Sequence, residues 1–278
     1  MQHIIQLCDC FYFTTKKLKC KFPDIFFKVY KYFADMKLFS VRQGFIIKSI
    51  KDIKMRDGQV RFTEMEEIGD NHIPTSIETP IRSDAFEIDD DLKIELIEKK
   101  FKDIMEVLGL DLTDDSLKDT PKRVAKMYVK EIFSGLNPGN KPAITLFDNR
   151  YRYNEMLVEK EVTVYSYCEH HFVPIIGKAH VGYFSNGKVV GLSKINRIVQ
   201  YFSKRPQVQE RLTVQIAEEL KKALQTEDVA VIIEADHLCV ASRGVKDINS
   251  STVTSSYHGK FLNNNTRNEF LKYVYDGK

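Results

Sequence analysis

The sequence has no tryptophan and only five cysteines in 278 residues. So sparse and odd a cysteine complement excludes a disulfide-built scaffold and makes a reducing cytoplasm the simplest home. No stretch approaches the ~18 consecutive apolar residues that a bilayer span needs, so no membrane association is expected. Low-complexity tracts and internal repeats are also missing. A uniform charge field is missing too. The formal net charge is +3, but residues 1–64 hold 13 Lys and Arg against 6 Asp and Glu, and the remainder holds 29 against 33. The main body therefore lacks the positive field of a nucleic-acid binder, and any anion site in it must be local. What remains is a chain 43% hydrophobic and 29% charged, a globular composition long enough for a large core.

Residues 1–64 differ from the rest. They are basic and rich in Phe and Tyr, without the continuous apolar segment and small-residue cleavage site of a signal peptide. Cys8, Cys10 and Cys20 fall here, and Cys8-Asp9-Cys10 has no histidine beside it to make a metal pair. The stretch is expected to be poorly packed or an upstream translation, with Met55 or Met65 as a plausible native start. A polar, acidic linker over residues 65–90 follows, and the remainder, 91–278, reads as the functional domain.

Within that domain the hydrophobic spacing predicts a helix from Asp89-Asp90-Asp91 through Ile94, Ile97, Phe101, Ile104, Met105 and Leu108, ended by Gly109. Thr120-Pro121 reads as an N-cap and first helical position, with Val124, Met127, Tyr128 and Ile132 inward and Gly135 as the stop. Strands are expected from Val158 to Cys168, and from Pro174 to Tyr183. Ser185-Asn186-Gly187 gives a hairpin signal. Ser193 is read as the N-cap of a helix with Ile195, Ile198, Val199 and Phe202 on its inner side. Pro206 is read as the start of another, with Leu212, Ile216, Leu220 and Leu224 inside. Asp228 to Ala241 reads as a strand buried on both faces, because Val229 to Ile233 is continuously apolar. A weak strand over residues 252–261 and a helix over 266–273 close the chain.

Two short stretches carry the chemistry: Cys168-Glu169-His170-His171 and Asp236-His237-Leu238-Cys239. They hold three of the seven histidines. Cys168 and His171 have the spacing of two ligands on one turn, and Cys239 offers a third soft donor. Thiolate and imidazole together suit Zn²⁺ better than Mg²⁺ or Ca²⁺. Three protein ligands with an open position is the catalytic pattern, whereas a closed structural site takes four. Inert buried thiols remain the alternative for each cysteine singly, and a closed site with His170 or His237 as fourth ligand remains one for the set. By period-two alternation His237 and Cys239 face the same side of their strand.

Other groups fit an anionic, guanine-like ligand. Ser193, Lys194 and Arg197 sit near a helix N-terminus, where free N–H groups and cations suit phosphate; an ordinary capped helix is the plainer reading. Glu210 lies in a first turn, off the apolar stripe. A carboxylate there offers paired acceptors to the N–H groups of a guanine edge, or simply complements the helix dipole. Arg123 and Lys126 share an exposed helical face, either solvated or reaching a ligand held by another subunit.

Taken together, these segments resemble the zinc-dependent type of the GTP cyclohydrolase I family, in its bacterial form. The likeness rests on DTPKRVAKM (119–127), CEHHFVP (168–174), GLSKINRIV (191–199), RPQVQERLT (205–213) and HLCVASRG (237–244), and spans roughly residues 90 to 275. It implies Cys168, His171 and Cys239 as zinc ligands and His170 and His237 as catalytic histidines. It implies Glu210 with Gln209 at the guanine, and Ser193, Lys194, Arg197 and Arg243 at the triphosphate and ribose. Ser193 is also a candidate for a later catalytic step. Lys126 and Arg123 would come from an adjacent subunit. The implied reaction is hydrolysis and ring rearrangement of GTP to 7,8-dihydroneopterin triphosphate plus formate, a first step of pterin and tetrahydrofolate biosynthesis. The implied fold is α+β, the tunnelling fold: N-terminal helices, then an antiparallel sheet with two helices on one face. Oligomerisation closes such sheets into barrels, as a homodecamer with sites at subunit interfaces. The competing reading is a zinc-stabilised nucleotide-binding regulatory module without turnover.

Overall fold

The computed structural model describes residues 76–276. The basic stretch 1–64, its three cysteines and both candidate starts lie outside the described residues. Helix α1 (Asp90–Val107) begins where the acidic run predicts: Asp89 caps it by accepting from Leu92 N at 2.8 Å, and Asp90 and Asp91 occupy the first turn. Carboxylates there complement the helix dipole. Gly109 stops it at φ +83°, a left-handed conformation that costs glycine little. Helix α2 (Thr120–Lys126) packs against α1. Its N-cap is Asp119, not Thr120, and Pro121 stands within the first turn, where a missing N–H costs nothing. The expected continuation to Ile132 is present, but the winding loosens to a π-helix over Met127–Ile132.

The sheets follow. Strand β1 (Leu146–Asp148) was not anticipated. Next come β2 (Leu157–Cys168), β3 (Pro174–Tyr183) and β4 (Lys188–Val190). The loop holding Ser185-Asn186-Gly187 does not fold β4 back on β3; β4 pairs with β1 instead. Helix α3 (Leu192–Ser203) is capped by Gly191, so Ser193 lies inside its first turn rather than at the cap. Pro206 starts no helix. Pro206–Gln207 forms β5, which lies parallel to the end of β2, and helix α4 runs over Gln209–Leu224. Strand β6 (Val229–His237) leads into the one-turn helix α5 (Leu238–Ala241). Strand β7 (Thr252–Tyr257) and helix α6 (Asn264–Tyr275) complete the described chain.

The main sheet has the order β5-β2-β3-β6-β7, and every neighbouring pair except β5 with β2 is antiparallel. Helices α3 and α4 cover one face. Ile195, Ile198, Leu212, Ile216 and Leu220 meet Val162, Val164, Val181, Val231 and Ile233 there, all buried. Each such side chain contributes about 1.5–3 kcal/mol on burial. The continuously apolar β6 is buried on both faces, as expected, but for a reason the sequence hides. Ala230 and Ile232 turn to the opposite face and pack on Phe261, Phe270 and Val274, the last two from α6. The sheet thus carries a third helix on its other side at one end. Gly182 lets α6 approach: a Cβ there would fall 2.9 Å from the Phe270 ring. Among the described residues no helix is long and apolar enough to cross a membrane.

Candidate active site

Strand β2 delivers Cys168 to a tight turn. Phe172 N donates to Cys168 O at 2.8 Å, and Cys168 N donates to Val173 O at 2.9 Å. Phe172 takes a left-handed φ of +53°, which folds the turn back so that His171 lies over Cys168, its Nδ1 3.8 Å from Sγ. The neighbouring strand brings the third group. In the β3–β6 register Ile175 pairs with His237, placing the end of β6 beside the turn. The strand stops at His237, and Cys239 enters from α5 rather than from an extended strand. Ligand atoms of Cys168, His171 and Cys239 all lie within 4.8 Å of one another.

Burial pushes the Cys239 thiol up to about 11, and the adjacent Cys168 adds to the shift. Two sulfurs and an imidazole crowded this closely are the donors a soft divalent cation takes, so the set fits Zn²⁺. His171 is held below the usual imidazole range, first by burial and then by the Arg243 guanidinium, whose Nη1 lies 2.9 Å from His171 Nε2. His170 Nδ1 lies 3.5 Å from Cys168 Sγ on the other side.

Cys168 and Cys239 of the trio line a cleft of about 630 Å³, together with His170, Gln209, Glu210, Arg211 and His237. Glu210 projects from the first turn of α4. Burial lowers the His237 pKa, partly offset by the negative charges of Glu210 and Asp236. His237 Nε2 lies 2.7 Å from Gln209 Oε1. Gln209 itself is 1% exposed, and its side chain is occupied by the protein.

A partly buried ion pair, which sequence reasoning missed, ties the two halves of the site together. Arg211 of α4 grips both carboxylate oxygens of Glu169, with Nη2 to Oε1 at 3.3 Å, and its Nε donates to Ser76 O at 3.1 Å. Such a bidentate fork fixes orientation as well as charge. The only hint in the sequence was the position of Glu169 between Cys168 and His170; nothing local points from it to Arg211.

The other predicted residues lie elsewhere on the chain. Ser193, Lys194 and Arg197 stand on the first two turns of α3, with Ser193 and Arg197 exposed. Arg123 and Lys126 are exposed on α2, and Arg123 faces Asp119 at 4.0 Å. None of these five is among the residues lining the cleft.

Comparison with known proteins accords with this arrangement. The profile of the GTP cyclohydrolase I family matches residues 97–275. A GTP cyclohydrolase 1 of Flavobacterium johnsoniae is 62% identical over 210 residues, covering 76% of this chain and 94% of that one. Proteins of the same name from Erwinia tasmaniensis and Escherichia coli are 52% and 51% identical over 203 residues, 73% of this chain and 92% and 91% of theirs. The match runs from α1 through Cys168, His171 and Cys239 to α6, and the chain belongs to the GTP cyclohydrolase I family.

Proposed function

We propose that this chain is a zinc-dependent GTP cyclohydrolase, opening the guanine imidazole ring of GTP at C8, releasing formate and yielding 7,8-dihydroneopterin triphosphate. The observation that carries the reading is the convergence of Cys168, His171 and Cys239, two of which line a cleft that also holds Glu210, His170 and His237. Cys168, His171 and Cys239 would hold zinc, which would supply a nucleophile at neutral pH by lowering the pKa of water to about 7.

The side chains divide the remaining work. Glu210 accepts from the N–H groups of the guanine edge, a pairing that only an acceptor pair satisfies. His237 holds a proton for the ring nitrogen as C8 is attacked, and His170 moves a proton as the ring opens; an imidazole titrates in the range this requires. Lys194, Arg197 and Arg243 cradle the triphosphate, which stays attached, so the cradle binds rather than cleaves. Ser193 serves the later ribose rearrangement.

In this reading Lys126 and Arg123 act on a neighbour's nucleotide, and the subunits join their sheets into the barrel of a homodecamer. The exposure of Arg123, Lys126, Ser193 and Arg197 away from the cleft of their own chain supports that reading. The catalytic domain is taken as residues 91–278, preceded by a linker over 65–90 and an extension over 1–64. Two reduced thiol ligands suit a cytoplasmic setting.

The test is direct. Incubation with GTP should release formate and, after oxidation, give pterin fluorescence. Nucleotide binding without either product would replace the enzyme by a binding module.

A further inference from the structure

We infer that Gln209 is a positioning residue that fixes the tautomer of His237, and that its side chain does not read the nucleotide. The inference rests on the reading of His237 as the proton carrier. Gln209 Nε2 lies 3.0 Å from Ile233 O, 2.9 Å from Thr252 O and 3.1 Å from Thr254 Oγ1. The first two are carbonyls of β6 and β7 and can only accept. The third is an acceptor here by elimination. Thr213 Oγ1 donates its single proton to Gln209 O at 2.8 Å. In the 2.6 Å contact between Thr213 Oγ1 and Thr254 Oγ1 the proton must therefore come from Thr254. That leaves only lone pairs of Thr254 facing the amide.

The nitrogen end of Gln209 is thus surrounded by acceptors. Flipping the amide of Gln209, which is 1% exposed, would set its oxygen against two carbonyl oxygens and leave buried groups unpaired, which is strongly unfavourable. The orientation is fixed, and Oε1 must face His237. An amide oxygen has no proton to give, so His237 Nε2, 2.7 Å away, carries the hydrogen. Only Nδ1 is left to exchange a proton with a ligand in the cleft. The partner of one ring nitrogen decides what the other can do. Through its Nε2 contacts Gln209 ties α4 to β6 and β7, so the tautomer is set by the fold rather than by the substrate.

The experiment is solid-state ¹⁵N NMR of the zinc-loaded full chain labelled in its histidine side chains, with the His237 signals identified by their loss in His237→Asn. The expected result is one tautomer with the proton on Nε2, present before any GTP is added. In Gln209→Met, which keeps the length and removes the hydrogen bonds, His237 should become a mixture of tautomers. The kcat should fall about 10- to 100-fold, as for loss of a partner behind an active group, while KM for GTP stays within about twofold and zinc remains at one per chain. A bare Nε2 with the proton on Nδ1 in the unsubstituted protein overturns the inference, and this holds even if Gln209→Met fails to fold. A raised KM with unchanged kcat would also overturn it, showing a nucleotide contact instead. Because the tautomer is read without turnover, a chain that does not convert GTP would refute the enzymatic reading and leave the Gln209–His237 assignment decided separately.

Discussion

Replacing Cys239 by alanine tests the metal centre at its least obvious member. Burial and the neighbouring Cys168 raise this thiol to about 11. It therefore keeps its proton across the whole neutral range, and a cation that takes the thiolate must displace that proton. The sign follows: metal and proton compete, so affinity rises with pH and falls as pH falls. For one displaced proton the change is about tenfold per pH unit, or roughly 100-fold between about pH 6.5 and 8.5, and other ligands that lose protons add to it. Removing Cys239 leaves two ligands, from the turn after β2, and loses the link to β6. Zinc should drop from one per chain to none after dialysis, and formate release should vanish with it. The stabilisation that bound metal confers, about 2.7 kcal/mol at a hundredfold excess over Kd, should vanish as well. The assays are competition with a chromophoric chelator at three pH values, proton release in weak buffer, and thermal unfolding with and without zinc. Stoichiometric zinc and turnover in Cys239→Ala would refute the ligand assignment. Affinity independent of pH in the unsubstituted protein would refute the protonation argument.

Two further outcomes concern the frame of the site. Arg211→Met should cost about 1.5–3 kcal/mol, because Glu169, whose side chain is 14% exposed, loses its two-pronged partner and hydrogen bonds to charged groups are worth about that much. A loss below about 1 kcal/mol in denaturant unfolding would show that the pair does not tie α4 to the metal turn. Gly135→Ala should destabilise by about 1–3 kcal/mol through overpacking, since a Cβ there would lie 2.0 Å from Tyr201 O and 2.8 Å from Lys204 O; an unchanged melting temperature would refute that close approach.

Much of this architecture could be read from residue order because the relevant patterns are local. The alternation of Val162 and Val164 and the apolar run from Val229 to Ile233 marked two central strands. The stripe Leu212, Ile216, Leu220 and Leu224 marked a helix. The start of that helix was misplaced because Gln207 is claimed by tertiary partners: its amide donates to Phe202 O and to Gln215 Oε1, and its backbone lies beside Cys168 in the sheet. Those contacts outweigh the local preference that Pro206 suggests. The nearness of Cys168, His171 and Cys239 was anticipated, but by a partly mistaken route. Strand parity set Cys239 on the side of His237, whereas the chain leaves the sheet at His237 and returns the thiol on a helical turn. Strands β1 and β4 are three residues each, too short for any periodicity. Phe270 and Val274 announced an apolar helix face but not which side of the sheet it would cover. The Glu169–Arg211 pair and the amide of Gln209 depend on contacts distant in sequence, which spacing does not encode.

The position of β3 has a consequence for how the molecule matures. It lies between the two strands that supply the ligands, with Ser166 and His237 both aligned on Ile175. No partial hairpin can assemble the trio: β2 with β3 yields a cysteine and an imidazole, and β6 must dock before the second sulfur arrives. Pairings this remote along the chain form late, after loop closure has been overcome. Assembly of the three donors therefore waits on the docking of β6 but not on β7, and a nascent chain interrupted before α5 would lack Cys239 altogether.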